Sequence, residues 1–328
     1  MKEIKSEKHS IWIGNGSLKK LDISNYSNVA ILVDKNTKKY CLEYILVEKP
    51  LIIEIKCGEK NKQIETCIKI WNELLSHNFD KNSVIINLGG GLIGDLGGFC
   101  ASTYKRGIDF IQIPTSLLAM IDASIGGKTG VNFKRLKNQI GLFSFPKSVI
   151  IDPLFLKTLP NREFKSAFAE IVKYALVYDI SLWDELQSFK FKIEEINNII
   201  YKCVQIKNLI VSKDPNEKNI RKILNFGHTY GHAIESYYLN KNKSILHGEA
   251  IFLGIILETE ISRISINEKN KITNYIVKNF KLPEMPRKED LIYFLDNDKK
   301  NINNKINFSL LKEIGKCTID NLIPKDEL

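Results

Sequence analysis

Three histidines in the C-terminal half have the types and spacing of a metal site. The chain contains five histidines, and His228, His232 and His247 fall within one stretch of twenty residues. His228 and His232 are four residues apart and would share one face of a helix. Glu170 lies in an otherwise apolar helical stretch, where an unpaired carboxylate is costly unless a cation meets it. Imidazoles from two helices and one carboxylate could hold a catalytic zinc ion; polar core residues satisfied by hydrogen bonds are the alternative.

A second candidate site is a glycine cluster that follows an apolar run. Gly89, Gly91 and Gly94 satisfy the pattern G-x-G-x-x-G. Glycines at the start of a helix let backbone N–H groups approach a pyrophosphate. However, no acidic residue ends the following strand about 20 residues later, as the usual dinucleotide fingerprint requires. The pattern alone therefore leaves a dinucleotide site and a tight strand-to-helix turn both open.

A third candidate lies in the glycine-rich segment 122–141. The residues around Lys128 resemble the end of a P-loop, but Asp122 stands where the first glycine of that motif should be. A Walker A motif is therefore excluded. What remains predicts a glycine-rich turn in which Lys128 and Lys137, together with Asn138, bind anionic oxygens.

The elements that must position these residues change in type along the chain. Up to about residue 153, short apolar runs alternate with helical stretches, which predicts parallel strands buried on both faces. Beyond it, helical periodicity dominates, with one weak strand signal at 306–310. We therefore predict an α/β domain at residues 1–152 and a mainly helical domain at residues 153–328. The predicted strands are 29–33, 52–55, 83–88, 110–114 and 149–152, and the predicted helices are 64–77, 162–177, 193–212, 227–240, 248–263 and 269–280.

Composition and charge limit the class of protein. The chain of 328 residues is 44% hydrophobic and 26% charged, which is typical of a globular protein of about two domains. Its formal net charge of +10 would suit a nucleic-acid partner. No run of five basic residues forms a patch, and no recognition motif is present. We attribute the charge to a general abundance of lysine and expect no nucleic-acid partner.

The sequence also favours a cytoplasmic protein without a membrane partner. None of the six cysteines forms a C-x-x-C pair, and their scatter suggests reduced thiols. The longest apolar stretch is far shorter than the ~20 residues of a membrane span, and the N-terminus lacks the apolar core of a signal peptide. The last four residues, KDEL, spell an ER-retention signal. We interpret them as coincidence, because nothing in the sequence would take the chain into the ER.

Taken together, the motifs resemble the 3-dehydroquinate synthases, which belong to the sugar phosphate cyclase superfamily. The similarity runs from about Asp34 to Lys300 and rests on many spaced stretches. They are GGGLIGDLGGF (89–99), STYKRG (102–107), PTSLLAMIDASIGGKTGVN (114–132), KNQIGLF (137–143), TLPNREF (158–164), AEIVKYA (169–175), LNFGHTYGHAIE (224–235), HGEA (247–250) and DKK (298–300). The resemblance implies a Rossmann-like α/β NAD-binding domain followed by a mainly helical metal-binding domain.

The resemblance also implies an activity. Family members convert 3-deoxy-D-arabino-heptulosonate 7-phosphate to 3-dehydroquinate and phosphate in the shikimate pathway. They do so by transient NAD-dependent oxidation, phosphate elimination, reduction and an intramolecular aldol closure. Two related activities remain as alternatives, namely another sugar phosphate cyclase and an NAD- and metal-dependent polyol dehydrogenase of the same fold. The large basic set, which can hold a carboxylate as well as a phosphate, favours the first activity.

Residue roles follow from the resemblance position by position. It implies that zinc, with cobalt as a possible substitute, is held by Glu170, His228 and His247. It implies NAD+ contacts at Asp34, Asn36, Gly58, Glu59, Lys62, Gly91, Leu92, Ile93, Gly94, Asp95, Thr115, Ser116, Asp122, Lys128, Lys137, Phe155, Leu156, Lys157 and Thr158. It implies that the sugar acid phosphate is bound and converted by Arg106, Asp122, Lys128, Lys137, Asn138, Lys173, Lys207, Arg221, Asn225, His232 and Lys299. It further implies a homodimer in which Arg106 acts across the interface.

Three positions depart from the family pattern. Ser116 stands where a second threonine is usual, Ala123 replaces a usual serine, and Ala167 replaces a usual glycine one turn before Glu170. Ser116 keeps a hydroxyl, whereas Ala123 removes one polar group. We expect modest effects, because no charged or metal-binding position is lost.

Overall fold

The structure is a computed structural model that describes residues 1–6, 9–134, 136–295 and 305–328. The chain divides into two compact units, Met1–Pro160 with Ile193–Ser212 and Asn161–Lys192 with Lys213–Leu328. The boundary was predicted after residue 152, whereas the first unit extends to Pro160. Residues 193–212 also belong to the first unit. The assignment of NAD to residues 1–152 and of zinc and substrate to residues 153–328 stays a prediction.

Strands and helices alternate in the first part of the chain, and helices dominate the second. The described strands are β1 (Lys2–Lys5), β2 (Ser10–Ile13), β3 (Val29–Asp34), β4 (Leu51–Ile55), β5 (Val84–Gly89), β6 (Asp109–Pro114), β7 (Lys128–Phe133), β8 (Leu136–Phe143), β9 (Ser148–Ile151), β10 (Lys305–Glu313) and β11 (Lys316–Pro324). The described α-helices are α1 (Lys35–Tyr40), α2 (Ile64–Ser76), α3 (Gly91–Thr103), α4 (Asn161–Ser166), α5 (Phe168–Val177), α6 (Ile180–Ser188), α7 (Asn197–Lys213), α8 (His228–Asn240), α9 (His247–Ile261), α10 (Ile266–Asn279) and α11 (Lys288–Leu295).

A seven-stranded sheet forms the centre of the first unit, in the order β1-β2-β9-β6-β5-β3-β4. Its neighbouring strands from β2 to β4 pair in parallel, while β1 runs antiparallel to β2. Every residue of β5 is buried, as expected for a parallel strand covered on both faces. All five predicted strands are confirmed to within one residue at each end.

The structure also contains strands that the sequence analysis did not predict. These are β1, β2, β11 and the antiparallel hairpin of β7 and β8. The interpretation of segment 122–141 as a turn was therefore wrong for most of its length. Gly130 lies opposite Gly141 in this hairpin, and a Cβ on either would collide with the backbone of the other strand. These glycines permit a close strand approach rather than a chain reversal.

The second unit is built from α4 to α6 and α8 to α11, with the β10–β11 hairpin beside them. The helix predicted at 162–177 is divided at Ala167 into α4 and α5. Helices α8 and α9 pack closely because glycines meet at their crossing. A Cβ at Gly231 would collide with the Ile251 side chain, and one at Gly254 would collide with the Gly227 carbonyl. None of the described helices is long and apolar enough to span a membrane.

Candidate active site

Glu170, His228 and His247 come together in the second unit. Each offers one ligand atom, and these three atoms lie within 4.8 Å of one another. The Oε1 atom of Glu170 is 3.3 Å from His228 Nε2 and 3.6 Å from His247 Nε2. The fold thus places side by side the three residues that the sequence analysis named as metal ligands.

Three helix beginnings position these ligands. Glu170 lies in the first turn of α5 and is buried, while His228 and His247 are the first residues of α8 and α9. Gly227 precedes α8 with a φ of 79°, a left-handed conformation that favours glycine. Each imidazole is therefore attached to backbone in the first turn of a helix.

A buried carboxylate from α9 caps the beginning of α8. Glu258 is fully buried, and its carboxylate accepts hydrogen bonds from the backbone N–H groups of Gly227, at 2.6 Å, and Tyr230, at 3.1 Å. These donors lie on either side of His228. A carboxylate at this position satisfies helix N–H groups and complements the positive end of the helix dipole.

We expect Glu258→Gln to lower the free energy of unfolding by about 1–3 kcal/mol, since an amide offers only one acceptor oxygen to these two donors. Urea denaturation of the metal-free protein measures this effect. Glu260→Gln makes the same chemical change at a half-exposed position of the same helix and should stay near the wild type. Equal unfolding midpoints for the two variants would contradict the capping role.

Both ligand imidazoles have an acceptor beside the ring nitrogen that faces away from Glu170. His228 Nδ1 lies 3.2 Å from the carbonyl oxygen of Phe226, and His247 Nδ1 lies 3.4 Å from Oε1 of Glu235. A proton on Nδ1 leaves the lone pair of Nε2 directed toward Glu170. This tautomer is the one required for metal binding through Nε2.

The charges around Glu170 suit a cation. Lys173 forms an ion pair with Glu170, and both side chains are almost completely buried. Burial alone would raise the pKa of Glu170, but the charges of Lys173 and His228 hold it well below its ordinary range. Burial and the charge of Lys173 lower the pKa of His228. Burial opposes protonation of His247, but the charge of Glu235 and hydrogen bonds to Glu170 and Glu235 raise the pKa of His247 to about 9.

The donor set fits a divalent transition metal. Within the described part of the chain, the buried oxygens of Glu170 meet the Lys173 ammonium and the His228 Nε2 atom without a hydrogen bond of standard geometry. One carboxylate and two imidazoles are the ligands that zinc takes in catalytic sites. Cobalt accepts the same types of ligand.

Other predicted substrate residues surround this group in the second unit. The ring of His232 is exposed and lies 5.3 Å from that of His228, centre to centre. Arg221 is buried just before α8 and donates from Nη1 to the Pro215 carbonyl at 2.7 Å. Asn225 donates to the Glu217 carboxylate at 2.9 Å. Lys299 lies outside the described residues.

The glycine cluster of the first unit forms the predicted strand, turn and helix. Strand β5 ends at Gly89 and α3 begins at Gly91. A Cβ on Gly91 would lie 3.5 Å from that of Ala123, so the departure at Ala123 falls beside the start of α3. Thr115 and Ser116 follow β6. All these residues lie at the carboxyl edge of the parallel strands, where open α/β sheets bind nucleotides.

Two buried lysines link further predicted residues in the first unit. Lys62 Nζ donates to Asp95 Oδ2 at 2.5 Å and to Asn138 Oδ1 at 2.6 Å. Burial raises the pKa of Asp95, although the charge of Lys62 opposes this. Lys207 Nζ lies 2.8 Å from Asp122 Oδ1 and donates to the Asp122 carbonyl at 2.5 Å. Lys207 on α7 therefore joins the first unit, whereas the sequence placed it in the helical domain.

The remaining predicted residues differ in what they present to solvent. Asp34 caps α1 through its Oδ1, which accepts from the backbone N–H of Asn36 at 2.8 Å. Phe155 and Leu156 are core residues with 2% and 0% exposure, so their side chains pack in the protein interior. Six others are exposed, namely Glu59, Arg106, Lys128, Lys137, Lys157 and Thr158. Gly58 and Arg106 have positive φ.

The sequence analysis missed the acidic residues that support the histidines. Glu235 contacts His247, and Glu258 caps α8. Glu249 caps α9 at the Leu246 N–H and pairs with Arg162 Nε at 2.7 Å. The criterion that singled out Glu170, a carboxylate in an apolar helical stretch, would also have found Glu249, but it does not separate Glu258 from Glu260 two positions later.

Comparison with known proteins identifies the family. The N-terminal 3-dehydroquinate synthase family model matches residues 52–166, and the C-terminal model matches residues 167–301. A 3-dehydroquinate synthase of Prochlorococcus marinus is 42% identical, covering 91% of this chain and 83% of the relative. One of Dictyoglomus thermophilum is 40% identical, covering 99% and 95%.

Solved structures confirm the predicted fold class. A 2-deoxy-scyllo-inosose synthase complexed with carbaglucose-6-phosphate, NAD+ and Co2+ has a TM-score of 0.87 at 24% identity, covering 99% of this chain and 97% of that one. A 2-epi-5-epi-valiolone synthase from Streptomyces hygroscopicus with NAD+ and Zn2+ bound has a TM-score of 0.84 at 24% identity, covering 100% and 96%. The fold and the relatives agree, and the chain belongs to the 3-dehydroquinate synthase family.

Proposed function

We propose that this protein converts 3-deoxy-D-arabino-heptulosonate 7-phosphate to 3-dehydroquinate and phosphate, using NAD+ and a divalent metal ion. The observation that carries the proposal is the group formed by Glu170, His228 and His247, in a chain 40% identical to a 3-dehydroquinate synthase over 99% of its length. Solved structures of the same fold contain NAD+ with Co2+ or Zn2+, which supports the same cofactors for this protein.

Glu170, His228 and His247 would hold the metal ion. When bound, zinc or cobalt supplies Lewis acidity to a substrate hydroxyl, and NAD+ supplies a reversible hydride acceptor, so the overall reaction has no net redox change. Lys173 already neutralises Glu170, and its ammonium group can turn to an anionic substrate oxygen once a cation meets that carboxylate. His232, exposed beside the ligands, can exchange a hydrogen bond or a proton with substrate through its ring nitrogens.

The second unit also contains groups suited to an anion. Arg221 is buried and always charged, and a guanidinium binds a carboxylate or phosphate in two-point geometry. We assign Arg221 and Asn225, with Lys173, to anchoring the sugar acid phosphate. Fixed anchors at such groups hold the reacting carbon atoms in one orientation, which favours the successive steps over side reactions.

We assign a nucleotide site and further anion-binding residues to the first unit. The start of α3, with Gly91 to Asp95, would bind the NAD+ pyrophosphate through backbone N–H groups. Lys62 holds Asp95 and Asn138, and Lys207 holds Asp122. These ion pairs and the hydrogen bond to Asn138 keep the polar side chains in place before any ligand binds. Lys128 and Lys137, both exposed, supply positive charge for anionic oxygens.

The test is an inorganic-phosphate release assay with the heptulosonate phosphate, NAD+ and zinc. We expect phosphate and 3-dehydroquinate in equal amounts, with no net accumulation of NADH. Accumulation of NADH during turnover of a simple polyol, without phosphate release from the sugar acid, would instead indicate a polyol dehydrogenase.

We further propose that the protein is a cytoplasmic homodimer. All six cysteines are free thiols, which suits a reducing compartment. The β7–β8 hairpin exposes the apolar side chains of Phe133, Ile140 and Phe143 at 44%, 38% and 45%, and contact with a second copy would bury such side chains. Arg106 stands on an exposed left-handed turn beside Lys105. Sedimentation analysis of the wild type would show a dimer, and a monomer at micromolar concentration would contradict this assignment.

A further inference from the structure

The imidazole of His247 lies between two carboxylates. Its Nε2 atom faces Glu170 Oε1 at 3.6 Å, and its Nδ1 atom faces Glu235 Oε1 at 3.4 Å. The side chain of Glu235 is 10% exposed and that of His247 is 31% exposed, so the carboxylate is the more buried partner in this contact. One carboxylate belongs to the candidate metal group, and the other is on the opposite side of the ring.

Metal binding through Nε2 requires the neutral imidazole of His247, and the chemistry of that form gives the second carboxylate a defined role. Such a ring has one N–H donor and one lone pair. A carboxylate accepts hydrogen bonds only, so it selects the tautomer with the proton on Nδ1. The lone pair then resides on Nε2, which faces Glu170. The charge of the carboxylate also strengthens Nε2 as a metal ligand.

The other histidine ligand shows the same arrangement with a different acceptor. His228 Nδ1 faces the backbone carbonyl of Phe226 at 3.2 Å. That acceptor belongs to the chain immediately before α8, so it remains whatever side chain occupies position 226. The acceptor for His247 is instead a side chain on a neighbouring helix, and a substitution can remove it.

Helix α8 carries one histidine ligand, His228, and the carboxylate that faces the other, Glu235. His228, His232 and Glu235 are at positions i, i+4 and i+7, which share one helix face. The separation of α8 from α9 is set by the close contacts of Gly231 and Gly254. The carboxylate of Glu235 is therefore held at a fixed distance from the first residue of α9.

We propose that Glu235 is a positioning residue, which fixes the tautomer and the ring orientation of His247 for metal binding. This role rests on the metal-dependent function proposed above. It predicts that loss of Glu235 weakens metal binding without removing any ligand.

The experiment is a titration of the metal-free protein with Zn2+ in competition with a chelating dye. We expect Glu235→Ala to bind zinc about 10–100-fold more weakly than the wild type. Glu235→Gln, which keeps an acceptor oxygen and nearly the same volume, should recover part of this loss. Glu260→Gln is the matched control, because it removes a half-exposed carboxylate from α9 and should bind zinc like the wild type.

Two further measurements separate positioning from a general effect on stability. Nitrogen NMR of labelled histidine should show the Nδ1–H tautomer of zinc-bound His247 in the wild type and a mixture in Glu235→Ala. The visible spectrum of the Co2+-loaded protein should shift in the same variant. Unchanged zinc affinity and an unchanged cobalt spectrum in Glu235→Ala would overturn the role of Glu235, even if its melting temperature fell. A wild type that binds no zinc would overturn the proposed function itself.

Discussion

Replacing His228 with alanine should reduce phosphate release by at least about 1,000-fold and prevent reactivation by added zinc. His228 supplies one of three ligand atoms that lie within 4.8 Å of each other. Glu170 and His247 alone would hold a catalytic metal poorly, because such a metal usually takes three protein ligands. The same loss is expected in wild-type protein treated with a chelator. Zinc or cobalt should then restore the chelated wild type but not the variant. Metal content by mass spectrometry and the phosphate-release rate, measured on the same samples, test both statements.

His77→Ala is the matched control for this substitution. His77 is an exposed histidine that follows α2, and its contacts are to Ser76 and Glu73 of its own helix. We expect this variant to keep its metal and its rate. Full activity in wild-type protein shown to be free of metal would contradict the assignment of Glu170, His228 and His247.

Much of this site could be predicted because its signals are local. The i and i+4 spacing of His228 and His232 and the glycines from Gly89 to Gly94 each describe a single helix or turn. Strands buried on both faces are similarly visible as continuous apolar runs such as β5. The resemblance to the family then related these local signals to one another, since it specified the order of the motifs along the chain.

Other parts of the site depend on contacts between residues distant in sequence, and no periodicity reveals them. Lys207 pairs with Asp122 across 85 positions, and this contact places α7 with the first unit. Helix α7 has the ordinary pattern of a helix, and that pattern is compatible with either unit. The β7–β8 hairpin was missed for a different reason. Its glycines, Gly130 and Gly141, are needed where two backbones meet, but in a sequence such glycines also indicate turns.

The supporting carboxylates show how burial changes the interpretation of a charged residue. Glu258 appears in the sequence as one of several acidic residues near the end of a helix, and Glu260 lies two positions later. The structure buries the first completely against the backbone of α8 and leaves the second half-exposed. Both residues have the same charge and lie in the same part of α9, so only the packing of α8 on α9 distinguishes a structural carboxylate from a solvated one.

Arg221→Ala should lower kcat/KM for the heptulosonate phosphate by at least about 100-fold while leaving the Kd for NAD+ within about threefold of the wild type. A buried guanidinium forms charge-assisted hydrogen bonds with an anion. Without those bonds the substrate is no longer held in the reactive orientation, so the transition state is less stabilised. Steady-state phosphate release and calorimetric NAD+ binding measure the two quantities. Because Arg221 is buried and bonded to Pro215, the melting temperature of each variant must be recorded alongside.

Two variants make this result specific to substrate anchoring. Lys222→Ala removes the adjacent positive charge, which is partly exposed and pairs with Asp320, and it should keep most of the activity. Lys128→Ala removes an exposed charge from β7, so its effect on folding should be small. We expect it to reduce turnover much more than NAD+ binding. If Arg221→Ala and Lys128→Ala lost NAD+ affinity and turnover in equal proportion, both residues would belong to the cofactor site, and the sugar acid phosphate would need other anchors.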